Sequence, residues 1–162
     1  MGLDMMLYRE TYIGAEFSHR NVKGSVDITI NDIPIDIDMK KICSIKESVG
    51  YWRKANQIHY WFVQNVQDGE DNCAYYHVSE GKLKELLEAV EKVLANKGTP
   101  QEAYVVNEFL PSSDGFFFGS DYEADPDWYW MQMENTRGIL TEILSEKKNP
   151  DIWVDYYYQS SW

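Results

Sequence analysis

Hydrophobic and polar residues alternate strictly along one stretch in the first quarter of the chain. The hydrophobic positions there are Val26, Ile28, Ile30, Ile33, Ile35, Ile37 and Met39, and Asn31-Asp32 interrupts the alternation. A period of two on both sides of a short polar pair predicts a β-hairpin with one buried and one exposed face. Because Pro34 has no backbone N–H to donate, we expect its side of the hairpin to lie at a sheet edge.

Three further stretches favour β-strands because they are rich in β-branched and aromatic residues. They span residues 5–13, 74–78 and 152–158. In the last of these stretches, Tyr156 and Tyr158 are expected on one face of the strand and Tyr157 on the other. Residues 42–45 either continue the hairpin or add a strand.

The hydrophobic period changes to 3.6 residues from Val49 onward, which predicts a first amphipathic helix ending near Asp68-Gly69. Its apolar stripe comprises Tyr51, Ala55, Ile58, Phe62 and Val66. Ser79 is the expected N-cap of a second helix, which Gly98 ends. The stripe of that helix comprises Leu83, Leu86, Leu87, Val90 and Leu94.

A third helix is predicted to begin at Asp125-Pro126, since Asp is a favoured N-cap and Pro suits the first helical position. Its core stripe comprises Tyr129, Met133, Thr136, Leu140 and Ile143. The order of strands and helices favours an α+β fold, with a largely antiparallel sheet and about three helices packed on one face. The chain has no internal repeat and no linker rich in Pro, Gly or Ser, so residues 1–162 are expected to form a single globular domain.

The chain is strongly acidic, with 15 Lys and Arg against 27 Asp and Glu, a formal charge of −12 over 162 residues. Such a charge repels phosphate backbones and anionic lipids, so direct binding to nucleic acid or to a membrane is disfavoured. No apolar run approaches the roughly 20 residues that span a bilayer, and no secretory signal is visible. Cys43 and Cys73 are single and far apart, which excludes a disulfide framework and favours a cytoplasmic location.

Aromatic residues are frequent, with 6 Trp, 12 Tyr and 6 Phe, and several fall in the predicted first helix. At 100° per residue from Tyr51, His59 falls at about 80°, Trp52 at about 100° and Asn56 at about 140°. Arg53 projects from a neighbouring flank. A ring face, an imidazole, an amide and a cation suit a planar anionic ligand such as a nucleotide. Alternatively, His59 and Asn56 border the core and Arg53 pairs with a carboxylate.

Carboxylates form a second candidate interaction surface. Asp36 and Asp38 alternate with the hydrophobic residues of the hairpin, and Asp125 and Asp127 open the third helix, where the helix dipole favours negative charge. An acidic surface of this kind can imitate the phosphates of DNA and occupy a basic cleft. Solvation at turns and helix caps explains the same residues.

The remaining motifs carry no assigned chemistry. The segment Gly115-Phe116-Phe117-Phe118-Gly119 fits either a binding loop or a buried strand bounded by turns. The acidic run at 68–72 fails the spacing of an EF-hand loop. The three histidines, His19, His59 and His77, have no i, i+4 pairing. Neither a metal nor a cofactor is therefore expected.

Four blocks of sequence resemble a group of small bacterial and phage proteins. They are Met1-Gly2-Leu3-Asp4-Met5, Val49-Gly50-Tyr51-Trp52-Arg53-Lys54-Ala55-Asn56, the Gly115–Gly119 segment, and Tyr157-Tyr158-Gln159-Ser160-Ser161-Trp162. The resemblance covers most of the chain and brings with it no activity, cofactor or catalytic residue. It implies a context of phage or mobile-element accessory genes, in which small acidic proteins often interfere with host defence.

These observations favour a non-enzymatic interaction protein that blocks or sequesters a host factor. One mechanism is acidic mimicry of nucleic acid toward a host protein with a basic surface. The other is capture of a nucleotide-like molecule by Trp52, Arg53, Asn56 and His59. The alternative is a small enzyme acting on a nucleotide-like substrate with His59 as general base, although no nucleophile, metal set or phosphate loop accompanies that histidine.

Overall fold

A four-stranded antiparallel sheet and four α-helices make up most of the protein in a computed structural model, which describes residues 2–20, 22–113, 122, 125–147 and 149–162. In chain order the elements are β1 (Asp4–Tyr12), β2 (Ile28–Ile30), β3 (Ile33–Ile35), β4 (Ser44–Arg53), α1 (Asn56–Asn65), β5 (Tyr76–Val78), α2 (Glu80–Ala95), α3 (Glu102–Phe109), α4 (Pro126–Ser145) and β6 (Trp153–Ser161). The sheet has the order β4-β1-β6-β5, and β2 and β3 form a separate two-stranded sheet. The predicted α+β fold is confirmed.

One face of the four-stranded sheet supplies the strand side of the hydrophobic core. Alternate residues of the two central strands are buried there, Leu7 on β1 and Tyr156 and Tyr158 on β6 among them. They belong to one cluster with buried side chains from every helix, namely Ile58 and Phe62 of α1, Leu83 and Leu86 of α2, Val106 of α3, and Tyr129 and Met133 of α4. The helices therefore pack on a single face, as the sequence predicts.

The two long helices begin at their predicted caps. The Ser79 side chain accepts a hydrogen bond from the Lys82 backbone N–H at the start of α2. At the start of α4, Asp125 accepts from the Trp128 N–H and Pro126 occupies the first turn. All five residues predicted for the core stripe of α4 are buried. Strong caps and a clear 3.6-residue period make such helices predictable from sequence.

The first predicted helix is wrong at its start. Residues 49–53 belong to β4, which pairs with β1 from end to end except for a bulge at Val49, and α1 begins only at Asn56. Val49, Tyr51 and Trp52 suit a pleated surface better than a helix. A backbone break separates the two elements, since Lys54 adopts a φ of +53°. The apparent helical stripe through Tyr51 arose because β4 and α1 adjoin with no loop signal between them.

The predicted hairpin exists, but its buried face does not. Asn31 and Asp32 have φ values of +50° and +63°, as a two-residue type I′ turn requires. All six residues of β2 and β3 are exposed, so the prediction of one buried and one exposed face is wrong. The alternation correctly predicted that the two strands pair. Burial of one face would also require another part of the protein to pack against it, and none of the described residues does so. Both strands are edges, which leaves room for Pro34 opposite Thr29.

Helix α3 has no counterpart in the prediction. It is only eight residues long, buries Val106 alone, and has no side-chain hydrogen bond at its N-cap, Gln101. A short helix with one core residue gives too little periodicity to detect. The Gly115–Gly119 segment lies outside the described residues. Among the helices described, none combines the length and apolarity needed to cross a membrane.

Candidate functional site

Trp52 and Arg53 lie on opposite faces of β4, because successive side chains alternate across a strand. Trp52 faces the helices and is 1% exposed. Its indole N–H donates to Oγ1 of Thr136 at 2.9 Å. Arg53 projects the other way, and its Nε lies 4.0 Å from Oδ1 of Asp4. The helical wheel that placed both residues on adjoining flanks of one helix is therefore wrong.

His59 on α1 has a polar neighbour at each ring nitrogen. Its Nδ1 is hydrogen-bonded to the hydroxyl of Tyr158 at 2.7 Å, and its Nε2 lies 3.1 Å from Oδ2 of Asp71. The other carboxylate oxygen of Asp71 accepts from the indole N–H of Trp162 at 3.1 Å. Burial raises the pKa of Tyr158 well above its usual range, so its hydroxyl stays protonated. A general base needs a nitrogen aimed at substrate, whereas both ring nitrogens of His59 face side chains of the protein itself.

Asn56 is buried at the start of α1, where its backbone carbonyl accepts a hydrogen bond from the Ser113 hydroxyl at 3.4 Å. None of the cavities described among residues 2–20, 22–113, 122, 125–147 and 149–162 is lined by all four predicted ligand-binding residues. A cavity of about 330 Å³ beside β4 is lined by Tyr51, Trp52, Arg53, Met131, Gln132 and Asn135. It includes Trp52 and Arg53 but neither Asn56 nor His59.

The four predicted acidic residues are all exposed, but they divide into two pairs. Asp36 and Asp38 lie in the segment that leaves the sheet at the end of β1 and returns at the start of β4. Asp125 and Asp127 open α4 at the other end of the sheet, where the Trp128 indole N–H donates to the Lys54 carbonyl after β4 ends. Asp125 also caps α4, and Asp38 caps a short 3-10 turn. Asp36 and Asp38 follow β3 directly and so lie next to an exposed apolar surface.

That apolar surface is one face of the β2–β3 hairpin, here called the isoleucine face. Ile28 pairs with Ile35 and Ile30 with Ile33 across the two strands, which places the four side chains together on one side. Their exposed fractions are 41%, 39%, 57% and 68%, respectively. An isolated two-stranded hairpin is marginally stable in water, and contiguous exposed apolar side chains typically mark an interaction surface.

One face of the four-stranded sheet is turned away from the helices, and we call it the open face. It is rich in aromatic side chains. Tyr75 stacks on Tyr157 with ring centroids 4.5 Å apart and planes at 10°. The ammonium of Lys46 lies 3.7 Å from the ring centroid of Tyr8 and 4.3 Å from that of Tyr75. Aromatic rings on this face thus already make cation–π contacts with a lysine of the same chain.

A cavity of about 470 Å³ opens at one end of the open face. It is lined by Glu10, Tyr12, Arg20, Trp153, Asp155 and Tyr157. The carboxylates of Glu10 and Asp155 face this cavity together with the phenol of Tyr157. The pKa of Tyr157 is raised by burial and then by Asp155 and Glu10, and that of Tyr75 is raised to about 12 by burial and then by Glu10. We call this cavity the aromatic–acidic pocket.

Sequence reasoning missed the aromatic–acidic pocket, although a signal for it exists. On β1, Glu10 and Tyr12 occupy alternate positions. On β6, Trp153, Asp155 and Tyr157 do the same. Period-two alternation puts each set on one face of its own strand. What the sequence does not reveal is that β1 and β6 are neighbours, since they lie at opposite ends of the chain.

In the part of the chain that the structure describes, no three His, Cys, Asp or Glu side chains form a group that could hold a metal ion. Cys43 and Cys73 are both free thiols.

No protein-family model matches the chain, and its comparison with curated proteins and with solved structures gave no match either.

Proposed function

We propose that this is a non-enzymatic interaction protein that binds and blocks a host protein with a basic surface. The observation that carries the proposal is the isoleucine face of the β2–β3 hairpin, four side chains between 39% and 68% exposed. The phage or mobile-element context and the cytoplasmic location expected from sequence are part of the same proposal. No cofactor enters into it.

The isoleucine face is flanked by negative charge. Lys23, Lys40 and Lys41 border the hairpin segment, and the Lys41 ammonium lies 3.7 Å from Oδ2 of Asp38. Between Gly24 and Met39 the charged residues are four aspartates, all exposed. They are Asp27, Asp32, Asp36 and Asp38. An apolar centre with a charged rim is the usual anatomy of a protein interface. A partner that fits would present apolar side chains surrounded by lysines and arginines.

A second copy of this chain fits the same surface poorly. Two hairpins that met through their isoleucine faces would bring two sets of four aspartates together, and like charges across an interface oppose association. A basic partner gains from the same charges, both in rate of encounter and in orientation. Mimicry of nucleic acid by Asp36 and Asp38 is one form that this attraction takes.

The other two functions considered have less support from the geometry. Capture of a nucleotide requires a ring face for stacking, whereas Trp52 is buried and bonded to Thr136. Catalysis by His59 requires a nitrogen free to accept a proton, whereas Tyr158 and Asp71 lie at its two nitrogens. The enzyme alternative demands turnover that disappears in His59→Ala while the fold persists.

Site-specific photo-crosslinking tests the proposal. A benzophenone amino acid is placed at Ile33 and, as a control, at Tyr104 of α3, since both side chains are 68% exposed. We expect a discrete protein to crosslink in living bacterial cells from position 33 and not from position 104. Crosslinking that is absent at 33, or equal at both positions, would overturn the proposal.

The crosslinked protein is then purified and its affinity measured by calorimetry at rising salt. We expect Ile30→Asp and the double change Asp36→Lys, Asp38→Lys each to weaken binding at least about tenfold, with binding falling steeply between about 50 and 200 mM salt. Affinity that ignores both salt and charge reversal would contradict a basic partner. Thermal stabilisation by a nucleotide in the unmodified protein, lost in Arg53→Ala, would favour ligand capture instead.

A further inference from the structure

The aromatic–acidic pocket contains two carboxylates placed side by side. Glu10 on β1 and Asp155 on β6 are direct cross-strand partners on the open face. Like charges directly opposite each other destabilise an antiparallel pair. Such a pair is compensated when a cation lies between the two groups.

Among the described residues neither carboxylate forms a salt bridge with a lysine or an arginine, although Nε2 of His77 lies 3.3 Å from Oδ1 of Asp155. Lys46 is the other cross-strand partner of Glu10, yet its ammonium lies over Tyr8 and Tyr75. Arg20 lies over the Tyr12 ring, with its guanidinium carbon 4.7 Å from the ring centroid. Glu10 accepts a hydrogen bond from the Ser44 hydroxyl. Two carboxylates and one arginine leave the lining of the pocket with a net negative charge.

Trp153 supplies the largest aromatic surface at the pocket. Its side chain is 67% exposed, and its indole N–H donates to Oδ2 of Asp155 at 2.8 Å. This hydrogen bond fixes the ring beside the carboxylate. In the described chain no lysine or arginine lies over the indole ring, although tryptophan is the best aromatic acceptor of a cation.

We propose that the aromatic–acidic pocket binds the guanidinium of an arginine side chain presented by the basic partner. A planar guanidinium stacks on an aromatic face and donates in a fork to carboxylates, which a compact ammonium does not do. The inference rests on the proposed function and names the group by which the partner is recognised.

The pocket and the isoleucine face are reached from the same end of the sheet. Tyr12, which lines the pocket, is the last residue of β1 and pairs with both Trp153 and Ser44. The segment that carries the hairpin leaves the sheet after Tyr12 and returns at Ser44. The arginine is therefore assigned to the same partner that the hairpin binds.

Short peptides test the pocket without the partner. The ¹⁵N-labelled full chain is titrated with acetyl-Gly-Arg-Gly-amide, with the lysine peptide, and with the citrulline peptide, the uncharged isostere of arginine. We expect saturable shifts of the Trp153 indole N–H and of the Glu10 and Tyr157 amides with arginine, at least about fivefold weaker binding of lysine, and none of citrulline.

Matched variants locate the binding. We expect Trp153→Ala to lower the affinity for the arginine peptide about tenfold or more, and Glu10→Gln to lower it while the spectrum of the folded protein persists. Tyr104→Ala, at an equally exposed aromatic side chain on α3, should leave it unchanged. Equal binding of arginine and citrulline, equal binding of arginine and lysine, or insensitivity to Trp153→Ala would each overturn the inference.

The two proposals fail in different ways. If the peptides do not bind but the partner crosslinks from Ile33 and depends on Asp36 and Asp38, the arginine pocket is wrong and the proposed function stands. If the arginine peptide binds at Trp153 but nothing crosslinks from Ile33, the proposed function is wrong while the pocket is real.

Discussion

The indole N–H of Trp52 donates to the hydroxyl of Thr136 at 2.9 Å, joining β4 to α4 across the core. Both side chains are buried, at 1% and 0% exposure. The Thr136 hydroxyl in turn donates a hydrogen bond to the Gln132 carbonyl at 2.7 Å. A residue that the sequence suggested as a ligand-stacking surface is thus part of the internal hydrogen bonding of the protein.

Thr136→Val should destabilise the protein by about 1–3 kcal/mol, because it removes the acceptor and leaves a buried indole N–H without a partner. Thr136→Ser keeps the hydroxyl and is expected to cost less than the valine change. Urea unfolding followed by tryptophan fluorescence measures both. A valine variant as stable as the wild type would show that the Trp52 N–H finds another acceptor.

Two glycines should respond to alanine in opposite directions. At Gly50 on β4, an added Cβ would lie 2.9 Å from Ile139 and 3.2 Å from the Leu7 Cβ, so Gly50→Ala is expected to cost about 1–3 kcal/mol through overpacking. At Gly138 in α4, no atom lies within 4 Å of the added Cβ. Gly138→Ala should therefore stabilise the protein by about 0.5–1 kcal/mol through helix propensity. Thermal unfolding of both variants measures the two signs, and a stabilising Gly50→Ala would contradict close packing of α4 on β4.

Tyr158→Phe should destabilise the protein by about 1 kcal/mol or more, since the Nδ1 of His59 loses its hydrogen-bond partner. The stacking of the ring on Phe62, with centroids 4.0 Å apart, is retained in phenylalanine. The neighbouring change Tyr157→Phe, on the open face, is the control and should have little effect. Chemical denaturation compares the two, and equal effects would mean that the His59 contact contributes nothing.

Stability should depend on pH through Glu102. The backbone N–H of Gly98 and the Tyr122 hydroxyl both donate to its carboxylate, and they lower its pKa, with the Gly98 contact contributing most. A carboxyl with a lower pKa in the folded state stabilises the protein above its unfolded pKa of about 4.3, and this contribution is lost as the pH falls through the folded-state value.

Glu102→Gln should therefore lower the unfolding midpoint at pH 7, and the difference from the wild type should vanish below about pH 3. Glu91→Gln, on an exposed position of α2, is the control and should show no such pH dependence. Thermal unfolding monitored by circular dichroism from pH 2 to 7 measures both. A Glu102→Gln deficit that persists at low pH would assign its cause to lost packing rather than to charge.

Elements with strong local signals were predictable from sequence. The caps at Ser79 and Asp125 and the apolar stripe of α4 identified two helices. The alternation through Tyr156, Tyr157 and Tyr158 identified β6 and placed Tyr157 on the face opposite the other two. The short helix α3 and the boundary between β4 and α1 were not predictable, because an eight-residue element and an uninterrupted junction leave too little pattern to read.

The candidate site was predictable only in part. Both arms of the hairpin and the acids beside it followed from alternation, but the proposed pocket of Trp52, Arg53, Asn56 and His59 depended on a helix that starts too early. When residues 49–53 form a strand, Trp52 and Arg53 separate to opposite faces. Because residues 49–53 were interpreted as helical instead of extended, the predicted four-residue pocket was wrong as a whole.

The amino-acid sequence by itself determined the acidic charge, the α+β class and most of the strands and helices, because these follow from composition and from patterns within a dozen residues. Tertiary structure decided which surfaces are left open. It left the isoleucine face uncovered, buried Trp52 against Thr136, and brought Glu10 beside Asp155 from opposite ends of the chain. Pairing between distant strands depends on how the whole chain closes its core, and no local pattern records it.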